Sequence, residues 1–273
     1  MGLATIVVDV APIFEKPSTD SLRCDEALYG MSVQVIQESQ SGWCYLRTDY
    51  GMEGYCPTSC LETDAETAAA WRKYRKMTVL APYIDVQKQA RKEAPRAVSL
   101  ARGSILVPLG SAETEGYVKV GLPNGGVGYT RASYLGDVIT DWSKMGEEDM
   151  RWNIVETALA YNGSAYRQGG RSPMGIDGVG LAAMSYYLNG VAIPRETFIK
   201  PGTALHAIKL DEADEGDLLY FSDGVGVYMG NGKFVHASSA SGMEGVMVSS
   251  MREKDPEYVP ELAQHIVSVG SIY

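Results

Sequence analysis

The chain has 273 residues, of which 45% are hydrophobic and 21% charged, and its formal net charge is −10. This length is enough for two or three globular domains, and the acidic balance argues against nucleic acid or an anionic membrane surface as a partner. No apolar run reaches the length of about 18 residues that a transmembrane helix needs, so no membrane-spanning segment is expected.

The N-terminal residues lack the basic start of a secretory signal peptide and reach an acid at Asp9. No signal peptide is therefore expected, and a location inside the cell is the default expectation unless a leader was removed. Four cysteines lie in the first 60 residues without a Cys-x-x-Cys spacing, so no zinc site is expected. Disulfides in an exported protein and small buried thiols both fit this set, which is Cys24, Cys44, Cys56 and Cys60.

Residues 1–62 are predicted to form a small all-β barrel. Three runs rich in β-branched and aromatic residues are bounded by Gly, Pro, Ser and Asp, as strands usually are. These runs are Ile6–Ala11, Val33–Glu38 and Cys44–Thr48.

Residues 63–77 have a different character and are predicted to form a linking helix. Thr63 and Glu66 have the spacing of a capping box, in which each side chain satisfies a backbone N–H of the first helical turn. An alanine-rich and then basic sequence follows.

Residues 78–141 repeat the first barrel. Gly42-Trp43 matches Gly116-Tyr117, 74 positions later, and about twenty positions align without a gap. The shared pattern is Gly-aromatic, then Gly-x-x-Gly-Tyr, then Ser-x-Leu, and it resembles bacterial SH3 domains. The further matches are Gly51 with Gly125, Gly54 with Gly128, Tyr55 with Tyr129, Ser59 with Ser133 and Leu61 with Leu135.

Residues 142–273 are predicted to be a third domain with helices first and an antiparallel sheet after them. Glu147–Tyr161 has apolar residues on one helical face, and a second helix is expected from Leu181. Asn231-Gly232 is typical of a two-residue hairpin turn. The predicted strands are Gly216–Phe221, Val225–Met229, Lys233–Ala237, Val246–Ser249 and Ile266–Ile272.

The loop from Tyr166 to Leu181 carries the most specific signal. Its glycines and Pro173 exclude helix, and Asp177 is a good N-cap for the helix that follows. A nucleophile often lies at such a helix start, since the helix dipole lowers the pKa of a thiol. Here the position after the cap is Gly178.

This loop resembles the NlpC/P60 family of cell-wall cysteine peptidases, whose pattern is roughly Tyr-x-Trp-Gly-Gly, Ser-Pro-x-Gly-x-Asp-Cys-Ser-Gly-Leu. The chain departs from it at Gln168, Gly178 and Val179, where the family has Trp, the catalytic Cys and Ser. The resemblance implies an α+β fold of two small SH3-like β-barrels followed by a papain-like domain, without metal or cofactor. The residues kept are Tyr166, Gly169, Gly170, Ser172, Pro173, Gly175, Asp177, Gly180 and Leu181.

The same resemblance places the catalytic residues. The family's His-Val-Gly-Ile-Tyr becomes Gly224-Val-Gly-Val-Tyr228, so the base position is Gly224, and the orienting residue is His236. Glycine can neither attack a carbonyl nor carry a proton, so we expect no peptidase activity. In one alternative the protein is an active γ-D-glutamyl-diamino acid endopeptidase or amidase, in which a serine near His236 has taken over the role of the nucleophile. The candidates are Ser172, Ser222 and Ser238.

Without the catalytic side chains, the resemblance still implies a groove that recognises a ligand. In the family, the Tyr and Asp that match Tyr166 and Asp177 help to hold the free amine of a cell-wall peptide, and His236 lies nearby. Packing by Tyr166 and capping by Asp177 explain these residues equally well. The expected partner is a peptidoglycan peptide with a free N-terminal amine, or a protein. The remaining alternative is a scaffold whose groove is filled by Tyr166, Gln168 or Tyr220.

Overall fold

The computed structural model describes residues 2–38, 41–110, 116–222 and 224–273, which fall into two compact units that divide after Val138. Within these ranges, no helix has the length and apolar character that a membrane crossing requires.

The first unit begins with a seven-stranded antiparallel sheet. Its order is β3-β2-β6-β5-β4-β1-β7, and its inward-facing side chains include Ala4, Ile13 and Leu46. The strands are β1 Gly2–Ile6, β2 Val10–Phe14, β3 Arg23–Leu28, β4 Ser32–Glu38, β5 Trp43–Thr48, β6 Glu53–Pro57 and β7 Leu61–Glu62.

A second seven-stranded sheet follows with the same topology. Its order, β10-β9-β13-β12-β11-β8-β14, is that of the first sheet with every strand number raised by seven. The two sheets therefore share one topology, which is what an internal duplication predicts. The strands are β8 Met77–Val79, β9 Tyr83–Gln87, β10 Arg96–Ala101, β11 Ile105–Pro108, β12 Tyr117–Gly121, β13 Val127–Arg131 and β14 Leu135–Asp137.

The repeated Gly-x-x-Gly-Tyr motif has a steric cause. A Cβ at Gly54 would lie 2.5 Å from Ile13 Cγ2, and one at Gly128 would lie 2.4 Å from Val86 Cγ1. In both copies the strand passes too close to its neighbour for any side chain, so only glycine fits.

The linker forms helix α1, Ala65–Lys73, although its cap differs from the predicted one. Asp64, not Thr63, is the N-cap, and its Oδ1 accepts from Thr67 N at 2.8 Å. The buried Trp71 side chain then donates from Nε1 to Gly30 O at 2.8 Å, which fastens the helix to the first barrel.

The two barrels share a core. Tyr29 of the first barrel packs among Val79, Leu100 and Leu106 of the second, and Ile105 N donates to Tyr29 O at 2.7 Å. The two copies therefore belong to one folded unit.

The predicted strand Ile6–Ala11 is wrong, because the chain turns within it. β1 ends at Ile6 and β2 begins at Val10. Asp9 lies in the turn, where its backbone O accepts from Tyr29 N and its Oδ1 accepts from Ala101 N. The run Ile6–Ala11, although rich in β-branched residues, therefore contains a turn that tertiary hydrogen bonds hold in place.

The second unit has the predicted helix-then-sheet order, and the α+β class is confirmed. Helices α2 and α3 pack against each other and against strands of one antiparallel sheet, whose order is β17-β22-β18-β19-β20-β21. The helices are α2 Glu147–Leu159, α3 Gly178–Tyr187 and α4 Pro260–Ala263. The strands are β15 Arg171–Ser172, β16 Gly175–Ile176, β17 His206–Ile208, β18 Leu218–Phe221, β19 Val225–Tyr228, β20 Lys233–Ser238, β21 Gly245–Ser250 and β22 Ile266–Ser271.

The hairpin between β19 and β20 turns where the sequence predicts. Asn231 and Gly232 have φ angles of 53° and 77°, the left-handed pair that a tight hairpin turn needs. This turn sets the register that pairs Gly226 with His236 and so fixes where His236 lies in the sheet.

Candidate functional site

The loop before α3 folds back on itself. Tyr166 bridges to Ile176, and the short strands β15 and β16 pair through Arg171–Ile176 and Ser172–Gly175. A Cβ at Gly170 would lie 2.3 Å from Gly175 O, so the motif glycine allows the two arms of the loop to touch. This fold presents Tyr166 beside the start of α3, where its OH donates to Gln168 Oε1 at 3.0 Å.

Asp177 caps α3 and holds the loop together. Its Oδ1 accepts from Gly180 N and its Oδ2 accepts from Gly169 N, both at 2.7 Å. Arg195 Nη2 lies 2.8 Å from both carboxylate oxygens, and both side chains are buried. An ionised carboxylate offers about four acceptor positions, and these contacts use them. A ligand amine would therefore have to compete with Arg195, and the amine-binding role of Asp177 stays a prediction.

The two positions that carry the nucleophile and base in the family have different surroundings. Gly178 is buried, and a Cβ there would lie 3.1 Å from Val225 O and 3.4 Å from Val225 N. A Cβ at Gly224 would meet no described atom within 4 Å. A base would have room at its position, whereas the backbone of β19 crowds the position of the nucleophile.

His236 faces the sheet as well as the site. It is 4% exposed, and its Nε2 lies 2.8 Å from Ser249 Oγ on β21. Burial lowers the pKa of His236 to about 4, so the imidazole is neutral near pH 7. A neutral ring offers one N–H and one acceptor nitrogen, and the bond to Ser249 uses one of them.

These groups surround one cavity of about 720 Å³. Gly178, Gly224 and His236 line it together with Tyr166 and Gln168, so the structure brings the predicted site residues to one place. Tyr220 is buried and does not line the cavity. The volume falls within the usual range for small-molecule sites, about 300–1,000 Å³.

The serine alternatives differ in position. Ser222 and Ser238 line the cavity, but no described hydrogen bond joins either of them to His236. Ser172 is buried in β15, where its Oγ accepts from Met174 N. The serine that does contact His236 is Ser249, which is 2% exposed and lies outside the cavity lining.

The far rim of the cavity is a feature that sequence reasoning missed. It contains Ser239, Ala240, Ser241 and Met243 from the segment that follows β20, and Glu261 with His265 around α4. His265 lines the rim with Nδ1 placed 2.5 Å from Glu261 O. The small-residue run after a predicted strand was visible in the sequence, but the return of residues 259–265 to the site depends on the register of β22.

The comparisons with known proteins agree with this architecture. Residues 163–260 match the NlpC/P60 family model, and residues 9–62 match the bacterial SH3 domain model. A solved structure of an NlpC/P60 family protein from Bacillus cereus has the same fold, with a TM-score of 0.79, 18% identity and 98% of each chain covered.

Two curated relatives extend over most of the chain. A gamma-D-glutamyl-L-lysine dipeptidyl-peptidase of Bacillus subtilis (strain 168) is 26% identical over 80% of this chain and 73% of its own length. A dipeptidyl-peptidase 6 of Lysinibacillus sphaericus is 35% identical over 272 residues, which cover 99% of this chain and 99% of the relative. The fold, the loop motif and this full-length similarity together show that the chain belongs to the NlpC/P60 family of peptidoglycan hydrolases.

Proposed function

We propose that this chain is a catalytically inactive member of its family, which binds cell-wall peptides, or a protein partner, without hydrolysing them. The observation that carries the proposal is the open cavity beside Gly178 and Gly224. Among the described residues, the family's nucleophile and base positions, Gly178 and Gly224, carry no side chain, whereas polar groups such as Tyr166 and His236 line the cavity.

The chemistry supports the inactive half of the proposal. A thiol peptidase needs a thiolate and a base within hydrogen-bond reach, and neither Gly178 nor Gly224 has a side chain. His236 and Ser249 form a hydrogen-bonded pair, but Ser249 Oγ is buried in the sheet and cannot reach a peptide in the cavity. None of the candidates Ser172, Ser222 and Ser238 has a described hydrogen bond to His236, so the relocated-nucleophile alternative has less support.

The cavity supports the binding half of the proposal. Tyr166 and Gln168 hydrogen-bond to each other on one wall and leave the cavity open. A scaffold with a self-filled groove would place one of these side chains, or Tyr220, in that space. The cavity is lined by polar groups of several kinds, as a peptide with polar ends requires.

The charges around the cavity suggest where an amine binds. Arg195 already neutralises Asp177. Glu261 is exposed on the rim and belongs to no ion pair among the described residues. Of the two carboxylates that the described lining contains, Asp177 and Glu261, the second is therefore the more available to a ligand's ammonium group, and a bond to it would be charge-assisted. In this proposal Tyr166 and His236 contribute neutral hydrogen bonds.

Calorimetric titration with L-Ala-γ-D-Glu-diamino acid peptides tests the proposal. Wild type should bind a peptide with a free N-terminal amine with modest affinity, because a small groove offers few contacts. The N-acetylated peptide should bind more weakly. Gly224→Phe should abolish binding, since the added ring enters the cavity. Gly146→Phe, at the start of α2 and outside the cavity lining, is the matched control.

Mass spectrometry of the same mixtures tests inactivity. The peptides should remain intact over long incubation. Cleavage that is lost in His236→Ala would overturn the inactive assignment. The absence of binding by wild type would remove the recognition function and favour the scaffold.

A further inference from the structure

The second barrel carries a basic loop, residues 88–96, between β9 and β10. This loop contains four cations and one acid, for a net charge of +3, in a chain whose net charge is −10. All four cationic side chains are exposed, and among the described residues none of them belongs to an ion pair. Their charge is therefore available to a partner. The four residues are Lys88, Arg91, Lys92 and Arg96.

The first barrel contains the same loop without this charge. Residues 15–23 carry two cations and two acids, and one of the cations, Arg23, lies 3.1 Å from Glu26. Three backbone hydrogen bonds nevertheless recur at an offset of 73 residues. Because the loop backbone forms with either set of side chains, the fold does not require the cations of the basic loop. The matching donor–acceptor pairs are Glu15–Leu22 with Lys88–Pro95, Ser18–Lys16 with Arg91–Gln89, and Ser21–Ser18 with Ala94–Arg91.

A row of residues continues from the basic loop across the outside of the sheet. Lys119 on β12 lies opposite Tyr129 on β13. Tyr129 lies opposite Gln87 on β9, which in turn lies opposite Arg96 on β10. Directly opposed residues project from the same face, and neighbouring strands are about 4.8 Å apart, so this outer row is about 14 Å long. Gln87 Nε2 donates to Lys92 O at 2.8 Å, which fastens the basic loop beside the outer row.

This arrangement favours a linear ligand with repeated negative charges. Lys and Arg both bind phosphate oxygens, and several weak contacts along one chain reinforce each other. The acidic balance of the whole protein has little effect here, because exposed charges more than about 10 Å away are largely screened at 0.1 M salt. A local cluster of unpaired cations can therefore attract a polyanion.

The composition of the outer row argues against nucleic acid. Proteins that bind single strands without sequence preference stack successive bases on several aromatic rings, and this row has one ring, Tyr129. The chain belongs to a family of peptidoglycan hydrolases, so the cell wall is the setting in which the face would meet a polyanion.

We propose that the basic loop and the outer row together bind a phosphodiester polymer of the cell wall. The surface belongs to the first unit and shares no residue with the described lining of the cavity. It is therefore a second site, whose ligand differs from the peptide proposed for the cavity.

Fluorescence polarisation of the full chain with labelled poly(glycerol phosphate) tests the proposal. Contacts between four cations and a flexible polymer predict roughly 20-fold weaker binding when NaCl rises from about 50 to about 150 mM. Arg91→Gln with Lys92→Gln should weaken binding at least about 10-fold at the lower salt concentration and should reduce this salt dependence. The thermal unfolding of this double variant should match wild type, because both side chains are exposed.

A matched control removes two positive charges elsewhere. Lys209 and Lys254 are exposed in the second unit, and Lys209→Gln with Lys254→Gln should bind the polymer as wild type does. Equal loss in the two double variants would show that net charge, not this face, drives binding and would overturn the proposal.

Three further outcomes would also overturn it. One is the absence of binding by wild type. Another is equally tight binding of single-stranded DNA or of phosphatidylglycerol vesicles, which would contradict the assignment to a wall polymer. The third is loss of polymer binding in Gly224→Phe, which fills the cavity and should leave this site unchanged.

Discussion

Adding a single methyl group at Gly178 or at Gly224 should affect stability in opposite directions. At Gly178 the new Cβ would lie 3.1 Å from Val225 O. Val225 is held in the sheet by its pairing with Tyr220, so the strand cannot move away on its own. Overpacking of this kind costs about 1–3 kcal/mol, and Ala recovers about 0.4–1 kcal/mol by restricting the unfolded chain. Gly178→Ala should therefore destabilise by up to roughly 2.6 kcal/mol.

Gly224→Ala has only the favourable part of this balance. Its Cβ would enter open space, so the variant should match wild type or gain about 0.4–1 kcal/mol. The two variants should then differ by roughly 1–3 kcal/mol. Because each changes one glycine to alanine, effects on the unfolded chain largely cancel in the comparison.

Urea unfolding of the full chain, followed by fluorescence and circular dichroism, measures this difference in the transition of the second unit. Equal stability of Gly178→Ala and Gly224→Ala would refute the reasoning, because it would show that the helix start and β19 adjust freely. The same crowding predicts that Gly178→Cys with Gly224→His regains at most weak peptidase activity, since catalysis depends on close positioning. Efficient turnover by that double variant would show that the site is still preorganised.

Three further predictions concern the surroundings of the cavity. Arg195→Met should destabilise the second unit by about 3–5 kcal/mol, because it leaves the buried Asp177 carboxylate unpaired, and a double variant with Asp177→Leu should recover part of this loss in denaturant unfolding. Burial lowers the pKa of His236 from 6.5 to about 4, so between these pH values the unfolded chain binds a proton that the folded chain does not. The free energy of unfolding should therefore fall by roughly 3 kcal/mol as the pH falls from 6.5 to 4. His236→Gln should flatten this dependence of stability on pH. Glu261→Gln should weaken the binding of the amine-bearing peptide several-fold with unchanged stability, and equal affinity of both proteins by calorimetry would show that Glu261 does not receive the amine.

Local patterns in the sequence predicted much of the fold. The duplication was visible because close strand contacts force glycine at Gly54 and Gly128. The turn at Asn231-Gly232 was visible because few residues tolerate left-handed backbone angles. In both cases a steric restriction leaves a distinct residue type at a fixed position.

Features set by distant contacts could not be predicted in this way. The turn at Val7–Asp9 is held by hydrogen bonds to Tyr29 and Ala101, and its sequence looks like strand. Arg195 follows the expected helix, but nothing in its neighbourhood shows that it neutralises Asp177. The motif positions were found through the family resemblance, whereas the crowding at Gly178 depends on where β19 lies.

The shared core of the two barrels has a consequence for modularity. Tyr29 leaves its own barrel and packs among residues of the copy, and the Trp71 indole ties the linker to Gly30. The two similar halves thus contribute side chains to one core within a single compact unit. Neither copy could be exchanged for an unrelated SH3 domain, or removed, without exposing the apolar surface that the other now covers. A substitution at this shared core in one barrel therefore limits which substitutions the other barrel can accept.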